Sequence, residues 1–298
     1  MEKIKITFLG TSDSIPTKER NHTSILLNYK NENILIDCGE GTQRQFKKAN
    51  LNPCRLTSIL ITHWHGDHIL GLPGLLQTLA MQNYNRTLKI YGPRNTKKFA
   101  EEIMKMFVFV GNLKYEIEEV TGRFLETPDF YLEAFPLNHG TPCNGYSFVE
   151  KDKLKINKEK LKKLKLPNSP LIKKLAEGKD IIYNNKKISS KSITYKQNGR
   201  KISFVFDTGY FETIVKNVKN SNFLIAESTY KKEDIKLAQR YHHLTSVQAA
   251  IIAKKAKVKK LILTHISQRY PTFSHIETEA RKVFKNTSLV KDLDSVII

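Results

Sequence analysis

Thr62-His63-Trp64-His65-Gly66-Asp67-His68 packs three histidines and an aspartate into six residues. In an extended stretch residues two apart share a face, so His63 and His65 can point at one metal ion. Asp67 and His68 follow the turn at Gly66 and can face a second point a few ångströms away. Imidazole and carboxylate donors suit Zn²⁺. A single histidine would carry no such inference, whereas His-x-His-x-Asp-His is a dense ligand pattern.

The elements around this cluster say how it is held. The apolar run Ser58-Ile59-Leu60-Ile61 before it reads as a buried strand, and Ile69 to Leu76 after it as the start of a helix. The cluster thus sits on a loop at a strand's C-terminal end, where sites of α/β folds concentrate. Lys260-Leu261-Ile262-Leu263-Thr264-His265 repeats the apolar strand ending in Thr-His. Two related halves whose strands end on one edge would bring His63 and His265 together. Ile202 to Phe206 runs into Asp207, and Phe135-Pro136-Leu137-Asn138 into His139, so both residues also stand just beyond extended segments.

Taken together, these motifs resemble the tRNase Z family of the metallo-β-lactamase superfamily, over nearly the whole chain. The resemblance is carried by Phe8-Leu9-Gly10-Thr11-Ser12, by Pro16-Thr17-Lys18-Glu19-Arg20-Asn21, by Leu35 to Gln43 with Asp37 inside it, and by His63 to His68 followed by Gly71 to Leu76. It continues through Leu137-Asn138-His139-Gly140, Asp207-Thr208, Ala226-Glu227-Ser228-Thr229, His243-Leu244-Thr245 and Leu263 to Tyr270. The metal motif alone identifies the superfamily. The Pro-x-Lys-x-Arg-Asn loop, the Glu227–His243 pair and Thr-His-x-Ser-x-Arg-Tyr narrow it to the family.

The resemblance implies an α/β fold, a four-layer αββα sandwich, and two Zn²⁺ per subunit, with Mn²⁺ or another divalent ion as substitutes. It implies that His63, His65 and His139 hold one ion, that Asp67, His68 and His265 hold the other, and that Asp207 bridges them. Asp67 would also orient or deprotonate the attacking water. His243 would protonate the leaving ribose oxygen, with Glu227 holding its imidazole and favouring the charged form. The implied activity is endonucleolytic removal of the 3′ trailer of precursor tRNA after the discriminator nucleotide. The products would be a tRNA 3′-hydroxyl and a trailer 5′-phosphate. Lys18, Arg20 and Thr245 would lie near the RNA end, and the family likeness implies a homodimer. Two departures stand out. Gly209 follows Asp207-Thr208 where the family has arginine, leaving Arg44 or Arg269 to supply that contact, and His242-His243-Leu244-Thr245 replaces Gly-His-Ser-Thr.

Composition agrees with a polyanionic substrate. The chain has 298 residues, with 50 Lys+Arg against 29 Asp+Glu and a net charge of +21. Between Lys151 and Lys191 stand 14 lysines and no arginine against four acidic residues, nearly half of the excess. There Lys158 to Leu166 reads as a basic amphipathic helix stopped by Pro167, and Leu171 to Ala176 as a second ending near Gly178. This stretch interrupts the sandwich, and the resemblance implies that 151–195 is an arm inserted into a single domain spanning 1–298. By resemblance it grips tRNA through residues such as Lys160, Lys162 and Lys163, and Leu166-Pro167-Asn168-Ser169-Pro170 is similar to the family's arm segment. Asn95 to Val108 and Thr272 to Phe284 read as surface helices.

No stretch approaches the roughly 20 apolar residues of a membrane span. Met1-Glu2-Lys3 runs directly into a strand-like Ile4 to Leu9, so no signal peptide is expected, and Cys38, Cys54 and Cys143 are few and scattered. A cytoplasmic location is expected. The main rival is a small-ester or thioester hydrolase of the glyoxalase II type, which would use the same metals but needs neither the arm nor the Pro-x-Lys-x-Arg-Asn loop. A β-lactamase would need export, a plain nucleic-acid-binding module would not need the ligand set, and a β-CASP nuclease would need a larger insertion.

Overall fold

The structure is a computed structural model and describes residues 2–108, 112–164, 166 and 169–298. Two seven-stranded sheets stack face to face. In spatial order the first holds Ser295–Ile297, Ile4–Gly10, Ser24–Tyr29, Glu32–Ile36, Ser58–Leu60, Thr87–Gly92 and Lys114–Glu119. The second holds Thr287–Leu289, Lys260–Thr264, Phe223–Glu227, Lys201–Val205, Asn144–Glu150, Phe130–Pro136 and Gly122–Glu126.

Period-two alternation explains the layers. Ile4, Ile6 and Phe8 point into the core between the sheets with Ile25, Leu27 and Tyr29, meeting Phe130, Phe148, Phe204 and Ile262 of the other sheet. Leu9 and Leu26 face outward and lie under helix Leu72–Met81. The second sheet's outer face is covered by helices Ser246–Lys255 and Ser274–Val283 through Ala249, Ala253, Ile276 and Ala280. The four-layer αββα sandwich is therefore present.

Each sheet contains a run of parallel strands, Glu32–Ile36 to Lys114–Glu119 in the first and Lys201–Val205 to Thr287–Leu289 in the second. Their central strands, Ser58–Leu60, Lys260–Thr264 and Phe223–Glu227, read as near-continuous apolar runs because both faces are covered, whereas edge strand Lys114–Glu119 is charged and largely exposed. The expected helix after the metal motif is two pieces, Gly66–Ile69 and Leu72–Met81, parted by Gly71. A Cβ on Gly71 would stand 2.0 Å from Gly39 O, so only glycine lets these loops touch. The other surface helices run Thr96–Met106 and Ser274–Val283, inside the spans read from sequence.

The basic segment rises from an antiparallel pair, Lys153–Ile156 with Thr194–Gln197. It carries helices Lys158–Lys163 and Pro170–Ala176, a hairpin of Ile181–Tyr183 with Lys186–Ile188, and helix Ser190–Ile193. Leu166, Leu175, Ile181, Ile188 and Ile193 form a small core of its own. Both arm helices thus occur; Pro167, expected to stop the first, lies with Asn168 outside the described residues. At the arm's base Arg200 donates Nε to Glu150 Oε2 at 2.7 Å and its Nη atoms to Ile298 O and Glu2 O, each at 2.6 Å.

Candidate metal centre

The C-terminal ends of strands from both sheets meet on one edge, and the seven expected ligands meet there. His63, His65 and His139 form one cluster and Asp67, His68, Asp207 and His265 a second, with one donor atom from each residue lying within 4.8 Å of the others in its cluster. His139 Nε2 stands 3.1 Å from His65 Nδ1, and His68 Nε2 stands 3.3 Å from His265 Nε2. Asp207 turns Oδ1 toward His265 (3.1 Å) and His68 (3.4 Å), and Oδ2 toward His139 (3.6 Å) and His63 (3.7 Å). Its two oxygens face the two clusters, as a bridging carboxylate must.

These residues fit a pair of metal ions. Tetrahedral ligands at roughly 2.1 Å from an ion lie about 3.4 Å from one another, which is the spacing found here. His63 Nε2 and Asp207 Oδ1 are buried and make no hydrogen bond, a costly state for polar atoms that an ion relieves. His65 lies on the exposed rim of the clusters.

Each of the other four histidines is aimed by its second ring nitrogen. His68 Nδ1 donates to Asp37 Oδ2 at 2.6 Å, and His63 Nδ1 to the Thr62 hydroxyl at 3.1 Å. That hydroxyl itself donates to Asp37 Oδ2, and Thr62 N to Asp37 Oδ1, both at 2.7 Å. His139 Nδ1 donates to His242 O at 3.0 Å and His265 Nδ1 to the Thr229 hydroxyl at 2.9 Å. Such bonds set the tautomer and leave Nε2 for a metal.

Sequence reasoning gave Asp37, Thr62 and Thr229 no role. For Asp37 a signal existed: Ile34-Leu35-Ile36-Asp37 matches Phe204-Val205-Phe206-Asp207, and both aspartates have left-handed backbones (φ 57 and 41).

Charge follows this layout. Burial holds the His63 imidazole well below its ordinary range, so it is a neutral donor. Burial also opposes charge on His68, but Asp207, Asp67 and Asp37 overcome it and lift His68 well above the ordinary range. An ion entering there must displace that proton. Burial pushes the Asp67 carboxyl up, yet His68 and His265 pull it far below the usual range, so it stays ionised.

Beside the centre, Glu227 is fully buried and accepts from His243 Nδ1 at 3.0 Å, while the His243 side chain stays 14% exposed. Burial lowers the His243 pKa, but the Glu227 charge and hydrogen bond override this and, with Asp207 and Asp13, lift it to about 9. Glu227 thus favours the protonated ring. His242 does not compete for this place: it is exposed, and its carbonyl serves His139.

Two expected RNA contacts are corrected. Arg20 is 2% exposed, donates Nη1 to Thr11 Oγ1 at 2.8 Å and lies over the Phe273 ring, so it braces the loop from within. Thr245 is 1% exposed and forms a capping box with Gln248 that starts helix Ser246–Lys255. Lys18, Lys160, Lys162 and Lys163 are exposed. A Cβ on Gly209 would meet nothing nearer than 3.8 Å, leaving a notch beside Asn138 and His242. Of the two arginines considered as substitutes, exposed Arg269 lies 5.0 Å over the Tyr230 ring, whose other neighbour is His243 at 5.9 Å. Arg44 lines a separate cavity with Lys18 and Lys48.

A family model described as anti-Pycsar protein Apyc1 matches residues 4–106. A ribonuclease Z of Bacillus cereus (strain B4264) is 39% identical over 304 residues, covering 98% of each chain. A ribonuclease Z of Nanoarchaeum equitans is 39% identical over 265 residues, 89% of this chain and 84% of the other. The crystal structure of the short form of human tRNase Z superposes with a TM-score of 0.72 at 27% identity, covering 98% of each chain.

Proposed function

This chain belongs to the ribonuclease Z family, and from that premise we propose how its centre performs tRNA 3′ processing. It is a metal-dependent endoribonuclease acting on precursor tRNA, and the small-ester hydrolase alternative is not favoured. The observation that carries the reading is Asp207, whose two oxygens face two histidine-rich clusters.

In our reading each subunit takes two Zn²⁺, one on His63, His65 and His139 and one on Asp67, His68 and His265, with Asp207 between them and Mn²⁺ or another divalent ion as substitutes. Such a pair supplies an ionised water near neutral pH and offsets charge on the phosphoryl oxygens. Asp67, held ionised, accepts a hydrogen bond from the attacking water and orients it. His243, charged and fixed by Glu227, donates its Nε2 proton to the departing ribose 3′-oxygen. Cleavage falls after the discriminator nucleotide, leaving a tRNA 3′-hydroxyl and a trailer 5′-phosphate.

Exposed Lys18 meets the RNA's 3′ end, and the arm of 151–195, inserted in a single 1–298 domain, meets tRNA phosphates through Lys160, Lys162 and Lys163. A homodimer in which one subunit's arm presents RNA to the other's centre follows from the family resemblance. No helix among the described residues is long and apolar enough to cross a membrane, and three free cysteines support the cytoplasm.

The direct test is cleavage of a 3′-extended precursor tRNA beside an unstructured RNA. Cutting after the discriminator, lost in His65→Ala, is expected. Metal-loaded protein that leaves the precursor whole with Zn²⁺ and with Mn²⁺ would defeat the reading.

A further inference from the structure

We propose that the Thr229 hydroxyl is a positioning group shared by His265 and Glu227, and that it governs retention of the ion held by Asp67, His68 and His265. This rests on the metal reading above. Thr229 is 2% exposed. Its hydroxyl donates to Glu227 Oε2 at 2.6 Å and accepts from His265 Nδ1 at 2.9 Å. A second acceptor, His265 O, stands at 3.1 Å, but the bond to the Glu227 carboxylate is the shorter and the stronger. The single hydroxyl proton therefore faces Glu227, and a lone pair faces the imidazole.

His265 needs this support. It stands past the end of strand Lys260–Thr264 with a left-handed backbone (φ 55), so the strand no longer dictates where the ring points. Glu227 is the carboxylate behind His265, and it reaches the ring only through Thr229. The same carboxylate oxygen takes the His243 Nδ1 hydrogen at 3.0 Å, and Oε1 takes Thr208 N, next to the bridging Asp207, at 2.6 Å. One buried carboxylate thus aligns the acid, the bridge and, through one hydroxyl, a metal ligand. The other cluster does not depend on it, since His63 and His139 are held by Thr62 and the His242 carbonyl.

The experiment compares Thr229→Val, which keeps the shape and removes the hydroxyl, with Thr229→Ser, which keeps the hydroxyl. Zinc content and affinity are measured by chelator competition on the purified holoenzyme, with thermal unfolding confirming the fold. Thr229→Val is expected to lose about 10–100-fold in affinity for one of two ions, so that competing chelator leaves one zinc per chain. Thr229→Ser should hold both. Retention of both ions by the valine variant, equal weakening of both, or failure of the serine variant would each overturn the proposal. If the valine variant does not fold, Thr229→Ala against Thr229→Ser makes the same comparison of one oxygen. A wild type that binds no zinc would overturn the metal reading itself, and is thereby distinguished from a fault in Thr229.

Discussion

Asp37 and Glu227 occupy comparable places in the two sheets. Each is a buried carboxylate at the end of a strand running parallel to one that finishes in Thr-His. Asp37 bonds His68 directly and reaches His63 through Thr62, the residue just before it. Glu227 bonds His243 directly and reaches His265 through Thr229, which lies just past the neighbouring strand's end. Thr264, the positional counterpart of Thr62, has a buried hydroxyl with no partner. The repeated Thr-His therefore places a histidine alike in both halves but supports it differently: Asp37 serves two histidines of the clusters, whereas Glu227 is divided between His243 and, through Thr229, His265.

The largest effect should come from breaking the undivided half. Asp37→Ala strands Thr62 N, the Thr62 hydroxyl and His68 Nδ1, at about 1–3 kcal/mol for each unsatisfied buried group. Metal titration should show both ions lost and calorimetry a much lower Tm; an Asp37→Ala enzyme with two tight zincs would dissolve the contrast.

Breaking the divided half should leave the fold and damage the chemistry. His243→Ala should lower kcat by roughly 10²–10⁴-fold with both ions retained. An acid must be protonated, so the wild-type rate should fall as pH rises through the His243 pKa of about 9. Glu227→Gln removes the charge that raises that pKa, and the falling limb should move to lower pH. A pH–rate profile unmoved by Glu227→Gln would assign the acid elsewhere.

Effects outside the centre should be smaller and should respect its boundary. Replacing Lys160, Lys162 and Lys163 with glutamine should weaken precursor binding with kcat kept. The log–log salt dependence should flatten by about 0.9 for each duplex phosphate that is no longer neutralised, and an unchanged slope would leave the arm without a role in RNA binding. Smallest is Thr245→Ala, which should cost about 1 kcal/mol of stability as the helix loses its cap and leave RNA affinity alone.

The clusters were legible because their histidines and aspartates are polar residues placed just past apolar strands. The arm's helices were legible from Leu161, Leu164, Leu171 and Leu175 spaced among lysines. Arg20 and Thr245 misled because a charge and a hydroxyl in loops resemble ligand contacts. Their burial depends on Phe273 and Gln248, whose positions a local reading does not supply. Strands Thr287–Leu289 and Ser295–Ile297 escaped because three residues carry no readable period; the second pairs with Ile4–Gly10 from the opposite end of the chain. Thr229 escaped because a threonine after a strand is ordinary until its neighbour across the sheet is known.

The order of the ligands along the chain also has a temporal meaning. The chain is synthesised from its N-terminus, so His63, His65 and His139 emerge well before Asp207 and His265. The first cluster has its histidines while the second still lacks its final imidazole. That imidazole arrives only when strand Lys260–Thr264 has paired with Phe223–Glu227. The second cluster is therefore complete only after residue 265 has been synthesised and its strand has paired.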